Sequence, residues 1–475
     1  MKILVLNGSP KGGNSITLQH IRFLATRFQD LEVKVIPMAR SIKTYERDRV
    51  RFDETAAKIK AADAVVWSFP VYYALVPSQM KRFMELLYQR KGKDFFQGTY
   101  TTALTTSINF FDHTAHNYVQ AVCEDLGFFF IRGYSAHMDD FFNEKERQKL
   151  VRFFSWFLKT VSHGLVPTRK YPPDNAQAPD YDPGRLEENL LSGPAPSQGS
   201  RVLLLTDQAG PDTNLGRMIR VFIRESAMAV EVKDIRDSGM GHGCLGCCTC
   251  GHDNACIQKD GFTRFFNDHL QTADLILICG SIHDHFLSSV WKQFLDRTFF
   301  KGHAPSLKGK ELGFMISGPL SRRQNLREFF DMLADNWHMK HRGVVTDEGP
   351  SSREVTDQIR DFARSLDLAR ETNLDFGPSF YRVGGQKLFR DFVFNSSAVF
   401  RADHLFYKAH RVYDTFPQRR IKKRLNNGLF SLVMTLPFLR RRIQKRFIPG
   451  MVAPYKKTLE KLSKAESLRA ADERV

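Results

Sequence analysis

The chain has 475 residues, too many for one ordinary core, so two or three domains are expected. Hydrophobic residues at 42% and aromatics at 12% exclude wholesale disorder, and no apolar run reaches the roughly 18 residues that a membrane-spanning helix needs. The net charge of +18 is concentrated: from Thr372 to Val475, 22 Lys and Arg stand against 8 Asp and Glu, so +14 of it belongs to that tail.

Met1 opens directly onto Lys2-Ile-Leu-Val-Leu6, without the basic and long apolar regions of a secretory signal, which predicts a cytoplasmic protein. In a reducing compartment, clustered cysteines point to metal or redox chemistry rather than disulfides. The first strand breaks into Asn7-Gly-Ser-Pro-Lys-Gly-Gly-Asn-Ser15, and a helical pattern of Leu18, Ile21, Phe23 and Leu24 follows. Backbone N–H groups and the helix dipole favour an anion at such a junction. Glycines admit a phosphate closely, Ser9, Asn14 and Ser15 offer hydrogen-bond donors, and Lys11 supplies a counter-charge. The spacing is not that of a P-loop, and a capped Gly-Ser-Pro turn without a ligand accounts for the same residues.

A second strand is predicted over Glu32–Ile36. A third ends in Pro70-Val-Tyr-Tyr-Ala74 and leads into a helix after Val76-Pro77-Ser78. In a doubly wound sheet that turn lies at the carboxyl ends of the strands, beside the switch-point crevice where ligands bind. Packing at a strand end would explain the tyrosines equally. After the fourth strand, Thr106, Ser107, Ile108 and Asn109 are a third candidate loop, and His113 and His116 read as surface histidines near it.

The pattern then recurs. Ala62-Asp63 and the strand after it lie over Ala273-Asp274, Lys81-Arg-Phe83 over Lys292-Gln-Phe294, and Gly98 over Gly309, all at an offset of 211. Strands alternating with helices predict an α/β fold of two tandem doubly wound parallel sheets. The boundaries are 1–165, a Pro-rich linker over 166–199, 200–375, and a basic, mainly helical C-terminal region over 376–475.

The loop Gly-Ser-Pro-Lys-x-x-Asn-Ser and the turn Pro-Val-Tyr-Tyr together resemble the NAD(P)H-dependent FMN reductase branch of the flavodoxin-like superfamily. The resemblance implies two fused flavodoxin-like domains, an oxidoreductase, FMN as cofactor and NAD(P)H as electron donor. It assigns Ser9, Lys11, Asn14 and Ser15 to the flavin phosphate and Pro70, Val71, Tyr72 and Tyr73 to the isoalloxazine ring, with Ser107 and Asn109 as third-loop candidates. The second half departs from it. Its first loop carries Asp207 and Asp212 and lacks the Lys, and its turn reads Ser281-Ile-His-Asp284, so no FMN, or only weakly held FMN, is expected there.

Cys244, Cys247, Cys250 and Cys256 are spaced Cys-x2-Cys-x2-Cys-x5-Cys, with Cys248 as an extra thiol. One short glycine-containing loop can wrap an iron-sulfur cubane in this way, whereas zinc or plain thiols remain alternatives. The motif also resembles that of iron-sulfur flavoproteins, which implies a [4Fe-4S] cluster. His242 and His252 read as loop polar groups, and Cys123 and Cys279 as buried small residues. The insertion that carries the cysteines is absent from the first half, so each half keeps what the other lacks. The expectation is a fused pseudo-dimer, free to dimerise further, in which cluster faces flavin.

The resulting function is an FMN-dependent oxidoreductase or electron carrier that couples two-electron to one-electron partners, small molecules or proteins. The alternative is a redox-sensing or scaffolding protein with structural zinc and a vestigial flavin site. No residue pattern nominates a general acid or base. In the tail, the apolar stretch Leu425–Leu439 lies between Arg-rich clusters, so 419–446 suits an anionic membrane surface or an acidic partner, unless its apolar face covers the protein's own domain. No nucleic-acid-binding fold accompanies the charge.

Overall fold

The computed structural model describes residues 1–173, 179–184, 201–207, 210–414 and 421–472, and the side chains of 421–423 and 466–472 are not among them. Two compact units result: Met1–Pro173 with Cys244–Cys247 and Ile421–Val475, and Asp174–Gly243 with Cys248–Arg420. Of the Pro-rich stretch 166–199, residues 174–178 and 185–199 lie outside the described residues.

In the first unit the apolar runs become strands β1 (Lys2–Asn7), β2 (Glu32–Ile36), β3 (Ala64–Pro70), β4 (Tyr100–Ser107), β5 (Phe129–Phe130) and β6 (Tyr134–His137). They pair in parallel in the order β2-β1-β3-β4-β5, with β6 also on β4. The chain thus reverses its direction of travel between β1 and β3, which sets the switch point at their carboxyl ends. Helix Ile16–Arg27 starts at Ser15, whose hydroxyl accepts the Leu18 N–H at 3.3 Å, and it buries Leu18, Ile21, Phe23 and Leu24 on the sheet. The C-terminal helix Pro437–Asp472 joins the same core. Tyr455 is buried there beside His20 and Phe141 and donates its hydroxyl to the Met138 carbonyl, and Leu459 and Leu462 pack alongside.

The second unit repeats the arrangement with β7 (Arg201–Thr206), β8 (Ala229–Asp234), β9 (Leu275–His283), β10 (Phe286–Leu287), β11 (Glu311–Ser317) and β12 (Lys340–Thr346). The order is β12-β11-β9-β7-β8, all parallel, and the short β10 runs antiparallel on β9. Helices Asn214–Glu225 and Ser352–Glu371 cover the core. Helices Phe380–Asn395, Arg401–Ala409, Ile421–Thr435 and Pro437–Asp472 make up the helical C-terminal region.

The offset of 211 holds in three dimensions. Gly98 and Gly309 take φ +84 and +83, each two residues before its strand, in the left-handed region where a side chain is strained. Asp63 accepts the Lys2 N–H at 2.6 Å, and Asp274 accepts that of Arg201 at 2.9 Å. Lys81 and Lys292 are both 0% exposed, and each pairs with a carboxylate one helical turn on, Glu85 at 2.8 Å and Asp296. Phe83 and Phe294 are likewise fully buried, each contributing about 2 kcal/mol of burial.

Candidate functional site

In the first unit, β1, β3 and β4 are neighbours and end together, with Asn7 beside Ser68 and Pro70 beside Thr106. Their three following loops therefore gather at one edge of the sheet. The first folds back on itself: Asn7 Nδ2 donates to the Gly12 carbonyl at 3.0 Å and its Oδ1 accepts the Ser9 N–H at 3.1 Å. Ser9 Oγ accepts the Lys11 N–H at 3.3 Å, and Ser9 and Ser15 are buried while Lys11 and Asn14 remain half-exposed. The first-turn N–H groups of Ile16 and Thr17, which a helix leaves without intrahelical partners, open beside this loop.

Gly12 has φ +58, and a Cβ there would come 2.5 Å from Arg40 Cδ. Glycine thus lets the loop turn left-handed and lets the Arg40 side chain lie against its backbone. Arg22, on the first helix, approaches Gly13 from another side. Lys11, Arg40 and Arg22 surround the loop with three cations, a donor set that fits a phosphate dianion. Arg40 and Arg22 were not legible as site residues. Arg40 lies just past β2, and the strand order that puts β2 next to β1 is the signal that would have found it; the Ala39 N–H to Asn7 carbonyl bond at 3.2 Å ties the two loop starts together.

The second loop is a two-residue reversal. Tyr72 and Leu75 exchange backbone hydrogen bonds of 2.8 and 3.0 Å, and the central residues Tyr73 and Ala74 both have positive φ, +41 and +54. Such turns ordinarily carry Asn and Gly, so non-glycine residues there mark a backbone held by its surroundings. The Thr114 hydroxyl grips the Ala74 carbonyl from helix Asp112–Asp125. Tyr72 and Tyr73 are buried, and Pro70 and Val71 half-exposed.

In the third loop the Asn109 N–H donates to Ser107 Oγ at 2.7 Å, and Ser107 and Ser135 hydroxyls both bond Asp112. Burial pushes the Asp112 carboxyl above its ordinary range against the pull of those two hydroxyls. Asn109 and Phe111 adopt φ +59 and +57, so strain collects here as well. His113 is exposed, as expected. His116 is half-buried, 2.9 Å from Thr105 Oγ1, and desolvation together with Arg132 and His113 lowers its pKa to about 4.

The corresponding edge of the second unit has a different character. Its reversal is present, with His283 and Phe286 paired across Asp284-His285 and His285 at φ +72. Residues 208–209 of the first loop lie outside the described residues. Asn214, the counterpart of Asn14, donates to the Pro179 carbonyl at 2.8 Å and to Asp347 at 2.9 Å. Asp347 is 1% exposed and also accepts from Ser317 and the Gly318 N–H. Asp207 is buried against Ser288, and burial raises its carboxyl pKa. Among the described residues, the counterpart of Asn14 is thus engaged by a carboxylate and a carbonyl, and a second buried carboxylate, Asp207, stands just past the end of β7.

The cysteine loop divides between the units. Within the first, the Cys244 carbonyl accepts from Gln79 Nε2 at 3.3 Å, and Gly246, at φ +63, sits so close to the Pro-Val-Tyr turn that a Cβ would fall 1.7 Å from Tyr72 Oη and 3.0 Å from Lys11 Cε. The Gly246 N–H points at Cys244 Sγ at 3.4 Å. Within the second unit, Cys250 Sγ lies 3.2 Å from His303 Nε2, whose Nδ1 is 2.8 Å from the buried Asp403 carboxylate. Arg297 directs Nη2 at Cys256 Sγ at 4.0 Å while clamping Asp260 at 2.6 and 2.8 Å, which holds that carboxyl down at about 2. In kind, thiol side chains with polar partners beside the sulfurs fit an iron-sulfur centre. In arrangement, no three Cys, His, Asp or Glu side chains among the described residues are gathered to hold a metal ion. Cys123 and Cys279 are buried, as expected, and burial raises both thiol pKa values strongly.

Comparison with known proteins follows the same division. Residues 1–142 and 201–348 each match the family model for NADPH-dependent FMN reductase. A curated relative, an iron-sulfur flavoprotein of Archaeoglobus fulgidus, is 23% identical over 203 residues, spanning 41% of this chain and 91% of that protein. Among solved structures, the flavoenzyme FerB, an NAD(P)H:(acceptor) oxidoreductase of Paracoccus denitrificans, is 15% identical over 34% of this chain and 98% of its own, with a TM-score of 0.29. An FMN-dependent NADH-azoreductase of Bacillus anthracis is 14% identical over 34% of this chain and 99% of its own, with a TM-score of 0.25.

Proposed function

Since the chain belongs to the NADPH-dependent FMN reductase family, as two fused copies of its domain, we propose that it is an NAD(P)H-dependent oxidoreductase whose first copy alone holds FMN and whose cysteine loop holds a [4Fe-4S] cluster. The observation that carries this reading is the position of Cys244–Cys247 in the same compact unit as the phosphate loop, with Gly246 against Tyr72 and Lys11. A flavin accepts hydride as an electron pair and can release single electrons, and a cluster carries one, so adjacent sites would couple the two kinds of partner.

The chain's own residues set the conditions. Lys11, Arg40 and the start of helix Ile16–Arg27 would neutralise the flavin phosphate, beside the buried Tyr72-Tyr73 reversal. In the second copy, Asp347 and, where ionised, Asp207 would disfavour a dianion, which supports a single flavin per chain. Cys244, Cys247, Cys250 and Cys256 are the residues that would hold the cluster, which would supply one-electron transfer. The relative named an iron-sulfur flavoprotein supports the same cofactor pair.

Anaerobic purification with quantification of flavin, iron, sulfide and zinc tests the reading. A single FMN per chain with iron and sulfide is expected, and Cys247→Ser should release the iron while FMN stays bound. Zinc in place of iron would favour the structural-zinc alternative, and iron retained by Cys247→Ser would overturn the ligand assignment.

A further inference from the structure

The helix Ile421–Thr435 has two unlike faces. Met434 is 3% exposed and turned inward, while Leu425, Leu429 and Leu432, spaced at four and three residues about half a turn away, are 68, 67 and 66% exposed. Leu436, between this helix and the next, and Phe438, at the start of the next, are also exposed, at 53 and 71%. Five large apolar side chains left in water within this short segment, three of them on one helix face, mark an interaction surface rather than single scattered residues. The apolar face that covers the protein's own domain lies elsewhere, at Val452 and Tyr455.

Charge identifies the occupant. Between positions 415 and 459 the chain has twelve Lys and Arg and no Asp or Glu. Arg424 precedes the leucine row, and Arg441, Arg442, Lys445 and Arg446 follow it, all exposed. Just beyond, Arg442 and Arg446 share an open groove with Ile443, Phe447 and Met451, so cationic heads and apolar side chains adjoin again. A second copy of this segment would bring like charges together, whereas an anionic bilayer satisfies both features at once. Leucines enter the acyl boundary and arginines meet the headgroups. No helix among the described residues is long and apolar enough to cross a membrane, so the contact is in the plane of the surface.

We propose that Leu425–Phe438 with its flanking arginines is a peripheral docking site for anionic lipid. The proposal does not depend on the flavin or the cluster. The test is flotation of the full-length protein with vesicles of phosphatidylcholine alone or of equal parts phosphatidylcholine and phosphatidylserine, at physiological ionic strength. Binding to the mixed vesicles only is expected. Replacing Arg440, Arg441 and Arg442 by Gln should lower the partition coefficient about 100-fold, at about 5-fold for each basic side chain. Leu429→Gln with Leu432→Gln should lower it by about 10-fold for each leucine and leave thermal stability unchanged, since both are exposed. Failure to float with the mixed vesicles, flotation unaffected by the leucine pair, or a leucine pair that instead converts a dimer to a monomer by ultracentrifugation would each overturn it.

Discussion

Lys11→Gln isolates the phosphate loop. A single charge at ~4 Å from a phosphate is worth about 4 kcal/mol at the effective dielectric near a protein surface. Lys11 is half-exposed, so screening reduces that toward the 1.5–3 kcal/mol typical of charge-assisted hydrogen bonds, about 10- to 150-fold in Kd. The substitution removes the charge and leaves a shorter polar side chain, and Arg40 and the helix terminus remain. Fluorescence-quenching titrations of the apoprotein with FMN and with riboflavin separate the effects. FMN affinity should fall by that factor, and more at low ionic strength, while riboflavin, which lacks the phosphate, binds as before. Equal weakening of both flavins would mean that Lys11 holds the ring or the fold, and an unchanged FMN affinity would remove the phosphate assignment.

His20 is buried with its pKa lowered to about 4, mainly by desolvation. It binds a proton more readily in the unfolded chain, near pH 6.5, so its stabilisation is complete above that pH and is lost as pH falls toward 4. Stability should drop by about 2 kcal/mol from this group between pH 7 and pH 5 in chemical denaturation, and His20→Gln should flatten that slope. Asp296→Ala leaves Lys292 charged and buried and should destabilise the second unit by about 3–5 kcal/mol, with Lys292→Met and Asp296→Leu together recovering most of it by the same assay. Gly246→Ala puts a Cβ into Tyr72 and a side chain at positive φ, a cost of about 1–2 kcal/mol in backbone alone. The loop should lift, so that alkylation of Cys244 and Cys247 quickens severalfold in the apoprotein; unchanged rates would mean that the loop does not rest on Tyr72.

The repeat was legible because burial fixes strand and helix periodicity and because Gly98, Gly309, Lys81 and Lys292 are dictated by local geometry within each copy. The loop between β1 and helix Ile16–Arg27 was legible as a strand-to-helix junction for a related reason, since such a junction is contiguous in sequence. Residues that arrive from elsewhere were not. Arg40 reaches Gly12 only through the β2-β1 pairing, and Asp403 reaches His303, and through it Cys250, across 100 residues. Tyr181 belongs to a proline-rich stretch with no periodicity to betray it, yet it is 1% exposed in the second core and its N–H bonds Asn214 at 3.0 Å. Arg169 likewise ties the start of that stretch to Asp125 and to the Glu124 carbonyl at 2.9 Å. Cysteine spacing reveals which thiols share a loop but not whether their sulfurs meet, and among the described residues no three metal-ligating side chains are gathered.

Flavin stoichiometry bears most directly on the division of labour between the two copies. Saturating the apoprotein with FMN and counting bound flavin per chain should give one equivalent, abolished by charge reversal at Lys11 and Arg40 and untouched by Asp207→Asn. Two equivalents per chain, or one that survives the reversal in the first loop, would contradict the assignment of the flavin to the amino-terminal copy.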